Sequence, residues 1–142
     1  MWESVNSFEI LILSRVERCC MEWIMISTKQ DLEEKFYCWY KKLGENIYNL
    51  IYFFDDVGDG RIIVDIETVD LDDVGINWEE ANAMYSNDVR LDTDIQGVEK
   101  ARALSMIYGS EKFGARYNCN NRNQAFQMLK DNGINVENWI KC

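Results

Sequence analysis

Residues 47–69 read IYNLIYFFDDVGDGRIIVDIETV, and this segment decides the fold. Ile47–Phe54 and Arg61–Val69 are rich in aromatic and β-branched residues, which favour strands. The residues between them, 55–60, are mostly aspartate and glycine, the composition of a tight turn. The segment therefore predicts a β-hairpin, in which two antiparallel strands are joined by a short turn.

Helical patterns precede the hairpin. Apolar residues between 8 and 26 recur at spacings of three and four, which predicts an N-terminal helix or extension over residues 1–26. A second helix is predicted to begin at Ser27 or Thr28, which are good N-cap residues, and to end at Gly44. Its apolar face is predicted from four residues at helical spacing: Phe36, Trp39, Tyr40 and Leu43.

Further helices are predicted after the hairpin. Each begins at an Asn or Asp that can cap it, and the last two end at glycines: Asn77 to Tyr85, Asp94 to Gly109, and Asn121 to Gly133. The alternation of Phe113, Ala115 and Tyr117 predicts a short strand, and a last turn is expected near Trp139. The predicted class is α+β, with a small antiparallel sheet built around the 47–69 hairpin and flanked by several helices. Residues 27–142 contain no linker and are expected to form one domain.

The charge of the chain is strongly negative and unevenly distributed. The net charge is −10, and residues 55–94 hold 13 of the 25 acidic residues but only two of the 15 basic ones. Such a field repels nucleic acid and anionic membranes, so neither is expected as a direct partner. Basic proteins and cations are the expected partners.

Several function classes are excluded by what the sequence lacks. Without histidine, neither a Ser-His-Asp triad nor a Cys-His pair can form. Neither G-x-x-x-x-G-K-S/T nor G-x-G-x-x-G occurs, so the common nucleotide-binding loops are not expected. Five cysteines without C-x-x-C spacing indicate reduced thiols, and no apolar run approaches about 18 residues. A cytoplasmic protein is predicted, since acidic residues stand where a signal peptide needs basic ones.

The turn between the hairpin strands partly resembles a calcium-binding EF-hand loop. Gly60 and Ile62 stand at the glycine and apolar positions of such a loop when Asp55 is counted as its first residue. The third and twelfth positions, which need oxygen ligands, are then Val57 and Ile66. A polar hairpin turn is therefore predicted in place of a calcium site.

The second hairpin strand resembles the first motif of DEDD-type 3′–5′ exonucleases, in which a strand ends in Asp-x-Glu-Thr. Asp65 and Glu67 lie two residues apart on a strand and so point to one face. The resemblance implies that they bind Mg²⁺ or Mn²⁺ and activate water for phosphodiester cleavage. The family needs two further Asp residues on later helices, for which Asp88 and Asp131 are the available stand-ins. A metal-dependent phosphodiesterase, or a remnant of one, is the alternative function.

The favoured function is a non-catalytic binding or inhibitor protein without a cofactor. In size and charge the chain is similar to immunity, anti-restriction and anti-CRISPR proteins, which can act as nucleic-acid mimics. The expected partner is a basic protein such as a nuclease or a nucleic-acid-binding protein. A regulatory subunit with a structural partner is not distinguishable from this by sequence. Eight carboxylates of the hairpin and the following loop are the predicted contact residues: Asp55, Asp56, Asp59, Asp65, Glu67, Asp70, Asp72 and Asp73.

Overall fold

A five-stranded antiparallel sheet forms the centre of the described structure. The computed structural model describes residues 23–56, 58–85 and 97–136. The strands lie side by side in chain order: β1 Ile24–Met25, β2 Phe36–Lys42, β3 Ile47–Asp55, β4 Ile62–Asp70 and β5 Gly114–Cys119. The predicted α+β class, with an antiparallel sheet flanked by helices, is confirmed.

The β3–β4 hairpin is the longest pairing in this sheet. Its register runs from Ile47 opposite Asp70 to Asp55 opposite Ile62. In the turn, the Asp59 carboxylate accepts hydrogen bonds from the Arg61 backbone N–H at 3.0 Å and from Arg61 Nε at 2.6 Å. The hairpin predicted from residues 47–69 is therefore confirmed, with strand ends shifted by one residue.

The helix predicted from Thr28 to Gly44 is wrong beyond its first turn. Thr28 does form a capping box with Asp31, but the helix α1 covers only Lys29–Glu33. Lys35 takes a left-handed backbone conformation with φ of 60°, and the following residues form β2. The aromatic residues of β2 favour a strand because their side chains alternate between two buried faces of the sheet.

The N-terminal helix prediction also differs from the structure at its end. Ile24 and Met25 form β1, which pairs with Tyr40 and Trp39 of β2. The rest of the predicted helix, and residues 1–22 as a whole, lie outside the described residues.

Four further helices are described: α2 Trp78–Met84, α3 Gly97–Tyr108, α4 Ser110–Phe113 and α5 Arg122–Asp131. Asn77 and Asn121 cap α2 and α5 as predicted, by accepting backbone hydrogen bonds at 3.0 and 2.8 Å. Phe113 ends α4, so the last strand begins one residue after it. The predicted cap at Asp94 and the turn near Trp139 lie outside the described residues.

Helices pack against both faces of the sheet. On one face, α2 and α3 cover a core that includes Leu50, Val69 and Leu104. On the other, α5 covers a second core that includes Trp39 and Phe53. No helix in the described ranges is both long enough and apolar enough to cross a membrane. Two-sided burial explains why β3 is hydrophobic along its length instead of alternating.

Candidate functional site

An open cleft lies on the α3 side of the sheet, next to the β3–β4 turn. We call it the α3 cleft, and its volume is about 830 Å³. Its walls carry aromatic side chains from β2 and β3 together with Ser105 and Met106 from α3, and its mouth carries acidic residues from α1 and the turn. The lining residues are Asp31, Glu33, Glu34, Lys35, Phe36, Tyr52, Phe54, Asp56, Gly58, Asp65, Glu67, Ser105, Met106, Gly109 and Arg116.

Glu67 lines this cleft from β4 and is almost wholly buried, with 2% of its surface exposed. Ser105 of α3 donates a short hydrogen bond to Glu67 Oε1. The pKa of Glu67 is raised to about 7, chiefly by burial and to a smaller extent by the nearby Asp65 carboxylate, while Ser105 and Arg116 act in the opposite direction. Glu67 therefore titrates near neutral pH, so its charge there responds to whatever binds beside it.

Tyr52 of β3 also lines the cleft, with 2% of its surface exposed. No described residue forms a hydrogen bond of regular geometry with its hydroxyl, although Ser105 and Cys38 lie near enough for weak ones. Burial raises the pKa of Tyr52, so the side chain stays a neutral phenol. A buried hydroxyl without a partner loses a hydrogen bond that water would otherwise supply, at a cost of about 1–3 kcal/mol. A ligand that fills the cleft could recover that hydrogen bond.

Asp65 of β4 and Arg116 of β5 form a bidentate ion pair. Arg116 Nε and Nη2 lie 2.8 Å from Asp65 Oδ1 and Oδ2, and the strand register places the two residues opposite each other. The Arg116 guanidinium also lies over the Phe54 ring, 5.4 Å from its centroid. Asp65 is 3% exposed, so its charge is held in the sheet by this one arginine. The positive charge of Arg116 therefore neutralises Asp65 within the site.

We expect Arg116→Gln to lower the free energy of unfolding by about 2 kcal/mol, because it leaves the buried Asp65 carboxylate without its cation. The figure is below that of a fully buried pair because the Arg116 side chain is 45% exposed. The matched control is Arg61→Gln, which breaks an exposed pair with Asp59 that solvent screens, so its loss of stability should be clearly smaller. Urea unfolding of both variants measures the difference, and equal losses would contradict this role for Arg116.

The mouth of the α3 cleft is acidic. Glu33, Glu34 and Asp56, which we call the mouth acids, are exposed there beside Lys35. None of the three forms an ion pair within the described part of the chain. Asp31, by contrast, pairs with Arg102 at 2.7 Å. A net negative charge therefore faces anything that enters the cleft.

The structure divides the eight carboxylates predicted to contact a partner. Three are buried: Asp65 and Glu67 line the α3 cleft, and Asp55 lies on the α5 side, 3.0 Å from Arg122 Nη2. Asp56 and Asp59 are exposed at the β3–β4 turn. The remaining three, which we call the β4-end acids, follow the opposite end of β4, where Asp70 is half-buried and Asp72 and Asp73 are exposed.

These exposed groups lie at the two ends of β4. Eight residue steps of β4 separate its two ends, which at about 3.3 Å per residue is a distance of roughly 26 Å. The carboxylates predicted to contact a partner thus include two exposed sets, which the length of β4 holds apart. Any partner that touches both must span the length of the sheet.

The residues of the proposed metal pair do share a face, since Asp65 and Glu67 both line the α3 cleft. Their oxygens, however, already bind Arg116 and Ser105. Asp131 ends α5, the helix that covers the opposite face of the sheet, and Asp88 lies outside the described residues. Within the described ranges, no three or more Cys, Asp or Glu side chains come together as metal ligands.

Sequence reasoning missed Tyr52, Ser105, Arg116 and the acids of α1 as parts of this site. Tyr52 and Arg116 meet Asp65 only through the register of β3, β4 and β5, which no local pattern encodes. Ser105 stands on the buried side of α3, and the helical spacing around it was the only available signal. No protein-family model, curated protein or solved structure matches the chain, so its own residues carry the functional argument.

Proposed function

We propose that this chain is a small acidic binding protein that acts without catalysis and recognises a basic partner protein. A nuclease or a nucleic-acid-binding protein, whose phosphate-binding groove is positively charged, is the kind of partner that fits. The observation that carries the proposal is a set of exposed carboxylates that form no ion pair with any described residue. They include all the mouth acids and, among the β4-end acids, Asp72 and Asp73.

The β4-end acids are held in defined positions, which favours recognition over a merely solvated surface. Asp70 Oδ1 accepts a hydrogen bond from the Asp72 backbone N–H at 2.9 Å, and Asp73 Oδ1 accepts one from Gly75 N–H at 2.8 Å. The Asn46 amide donates to both carboxylate oxygens of Asp72 at 3.2 Å. Carboxylates that are already ordered lose less side-chain entropy when a partner binds.

The experiment uses a fluorescent nine-residue arginine peptide as a generic basic partner and measures its dissociation constant by anisotropy. One variant changes the mouth acids (Glu33→Gln, Glu34→Gln, Asp56→Asn), and another changes the β4-end acids to Asn. We expect at least one triple variant to weaken binding about tenfold at 50 mM salt, since three surface charges contribute roughly 0.5 kcal/mol each. Raising the salt to 300 mM should weaken wild-type binding as well.

The matched control removes the same number of charges elsewhere, through Glu79→Gln, Glu99→Gln and Glu111→Gln. All three residues are exposed on helices. The control should bind the peptide nearly as well as the wild type. Equal weakening by the control and by both test triples would mean that only net charge matters, and would overturn the proposed recognition surface.

A further inference from the structure

We propose that the α3 cleft receives an arginine side chain of the basic partner, with the guanidinium group bound against the hydrogen-bonded pair of Glu67 and Ser105 and beside Tyr52. The inference rests on the proposed function and names the chemical group that the partner must present. Two observations point to a ligand here: the buried carboxyl of Glu67, and the buried hydroxyl of Tyr52, which has no regular hydrogen bond within the described part of the chain. Both residues line one open cleft.

The hydrogen-bonding groups at this place are mainly acceptors. Ser105 uses its only proton on Glu67, so its oxygen retains accepting capacity and no donor. Glu67 in its ionised form has no proton to donate, and Tyr52 can accept as well as donate. A matching ligand must therefore bring several N–H donors. A guanidinium carries five in a fixed plane, more than any other side chain.

Charge complementarity favours the same group. The positive charge nearest to Glu67, that of Arg116, is held by both oxygens of Asp65. Glu67 is thus a buried carboxyl that forms no ion pair in the described ranges, which is why burial dominates its pKa. A cation bound beside it would stabilise the ionised form.

The walls of the cleft suit the rest of an arginine side chain. Phe36 and Phe54 are apolar surfaces against which its three methylene groups can pack, and Met106 adds a further apolar side chain. Each phenylalanine already carries a guanidinium of this chain over its ring, Arg102 at 5.9 Å and Arg116 at 5.4 Å. A guanidinium is also more weakly hydrated than an ammonium, so arginine should be preferred to lysine in a partly buried site.

The test uses the capped tripeptide acetyl-Ala-Arg-Ala-amide, titrated into the full chain at pH 8 by calorimetry. We expect Glu67→Gln to weaken its binding at least tenfold, and Tyr52→Phe to weaken it several-fold. Two matched controls should leave binding unchanged: Glu79→Gln on exposed α2, and Tyr117→Phe, whose exposed side chain lies outside the cleft lining. Tyr52→Phe should fold normally because the hydroxyl that it removes forms no regular hydrogen bond with any described residue.

Binding should also depend on pH through Glu67. The groups that face Glu67 are Asp65 on its own strand, Arg116 on β5, Tyr52 on β3, Cys38 on β2 and Ser105 on α3. With a pKa of about 7, Glu67 is mostly protonated at pH 5.5 and mostly ionised at pH 8. Affinity for the tripeptide should therefore rise by up to about 30-fold between these pH values, and Glu67→Gln should remove that rise.

The outcomes separate this inference from the proposed function. If the nine-residue peptide binds through the exposed acids but the tripeptide does not bind, or binds Glu67→Gln equally well, the cleft inference is wrong and the acidic surface stands. If neither peptide binds, both fail. The corresponding lysine tripeptide and agmatine, a small guanidinium compound without a peptide backbone, are titrated in the same way. If either binds more tightly than the arginine tripeptide, the ligand is not an arginine side chain of a partner protein.

Discussion

Gly114→Ala should lower the free energy of unfolding by about 3 kcal/mol, one of the largest losses expected from a single added methyl group. A Cβ at this position would lie 2.8 Å from Glu67 Cα and closer still to the Ile66 carbonyl oxygen, both of them backbone atoms of β4. Backbone cannot move aside as a flexible side chain can, so β5 must shift away from β4. That shift would also pull Arg116 away from Asp65.

The matched control is Gly44→Ala in the loop between β2 and β3. A Cβ there would meet only the Ile47 side chain, at an ordinary contact distance of 3.7 Å. We expect a change below about 1 kcal/mol, measured by urea unfolding alongside Gly114→Ala. Similar stabilities for the two variants would contradict the close approach of β5 to β4.

Glu67→Gln should make the protein more stable at pH 8 than the wild type, by up to about 3 kcal/mol. Folding raises the pKa of Glu67 from its ordinary 4.5 to about 7, so between these values the folded state holds a proton that the unfolded state has released. Wild-type stability from this group is therefore fully present below about pH 4.5 and is lost as the pH rises to about 7. At about 1.4 kcal/mol per pH unit, this window corresponds to the stated difference.

The measurement is urea unfolding of the wild type and Glu67→Gln at several pH values from 4 to 8. Near pH 4 the two proteins should be similar, because the protonated carboxyl and the amide both accept a hydrogen bond from Ser105. Glu79→Gln, on the surface of α2, should show no such divergence. If the free energy of unfolding of Glu67→Gln differs from that of the wild type by the same amount at every pH, Glu67 is not the group that titrates.

The parts of the fold that sequence predicted well are those fixed by local chemistry. The 55–60 turn is built from aspartates and glycines, and Asn77 and Asn121 cap their helices through their own side chains. The Thr28 cap was also correct, yet the helix stopped after Glu33. The aromatic spacing of β2 fits a helix and a strand equally well, and only the neighbouring strands β1 and β3 decide between them.

The site was less predictable because it depends on burial and register. The alternation of a strand placed Asp65 and Glu67 on one face, and they do line one cleft. This face is buried because α3 packs on it and supplies Ser105. Asp65 is paired because β5 lies beside β4 and supplies Arg116. A run of carboxylates in the sequence therefore resolves into buried, paired members and exposed, unpaired ones only once the strands are assembled.

The most direct test of the central claim, that a basic partner binds at the exposed acids of the α3 cleft mouth or of the β4 end, is an amide NMR titration of the labelled protein with the nine-residue arginine peptide. The account predicts that the largest shifts fall at one of these two sets, at the amides of Glu33, Asp56 and Gly109 or at those of Asp72 and Asp73. Shifts spread evenly over exposed acids such as Glu79 and Glu99, or largest along α5 on the opposite face, would contradict it.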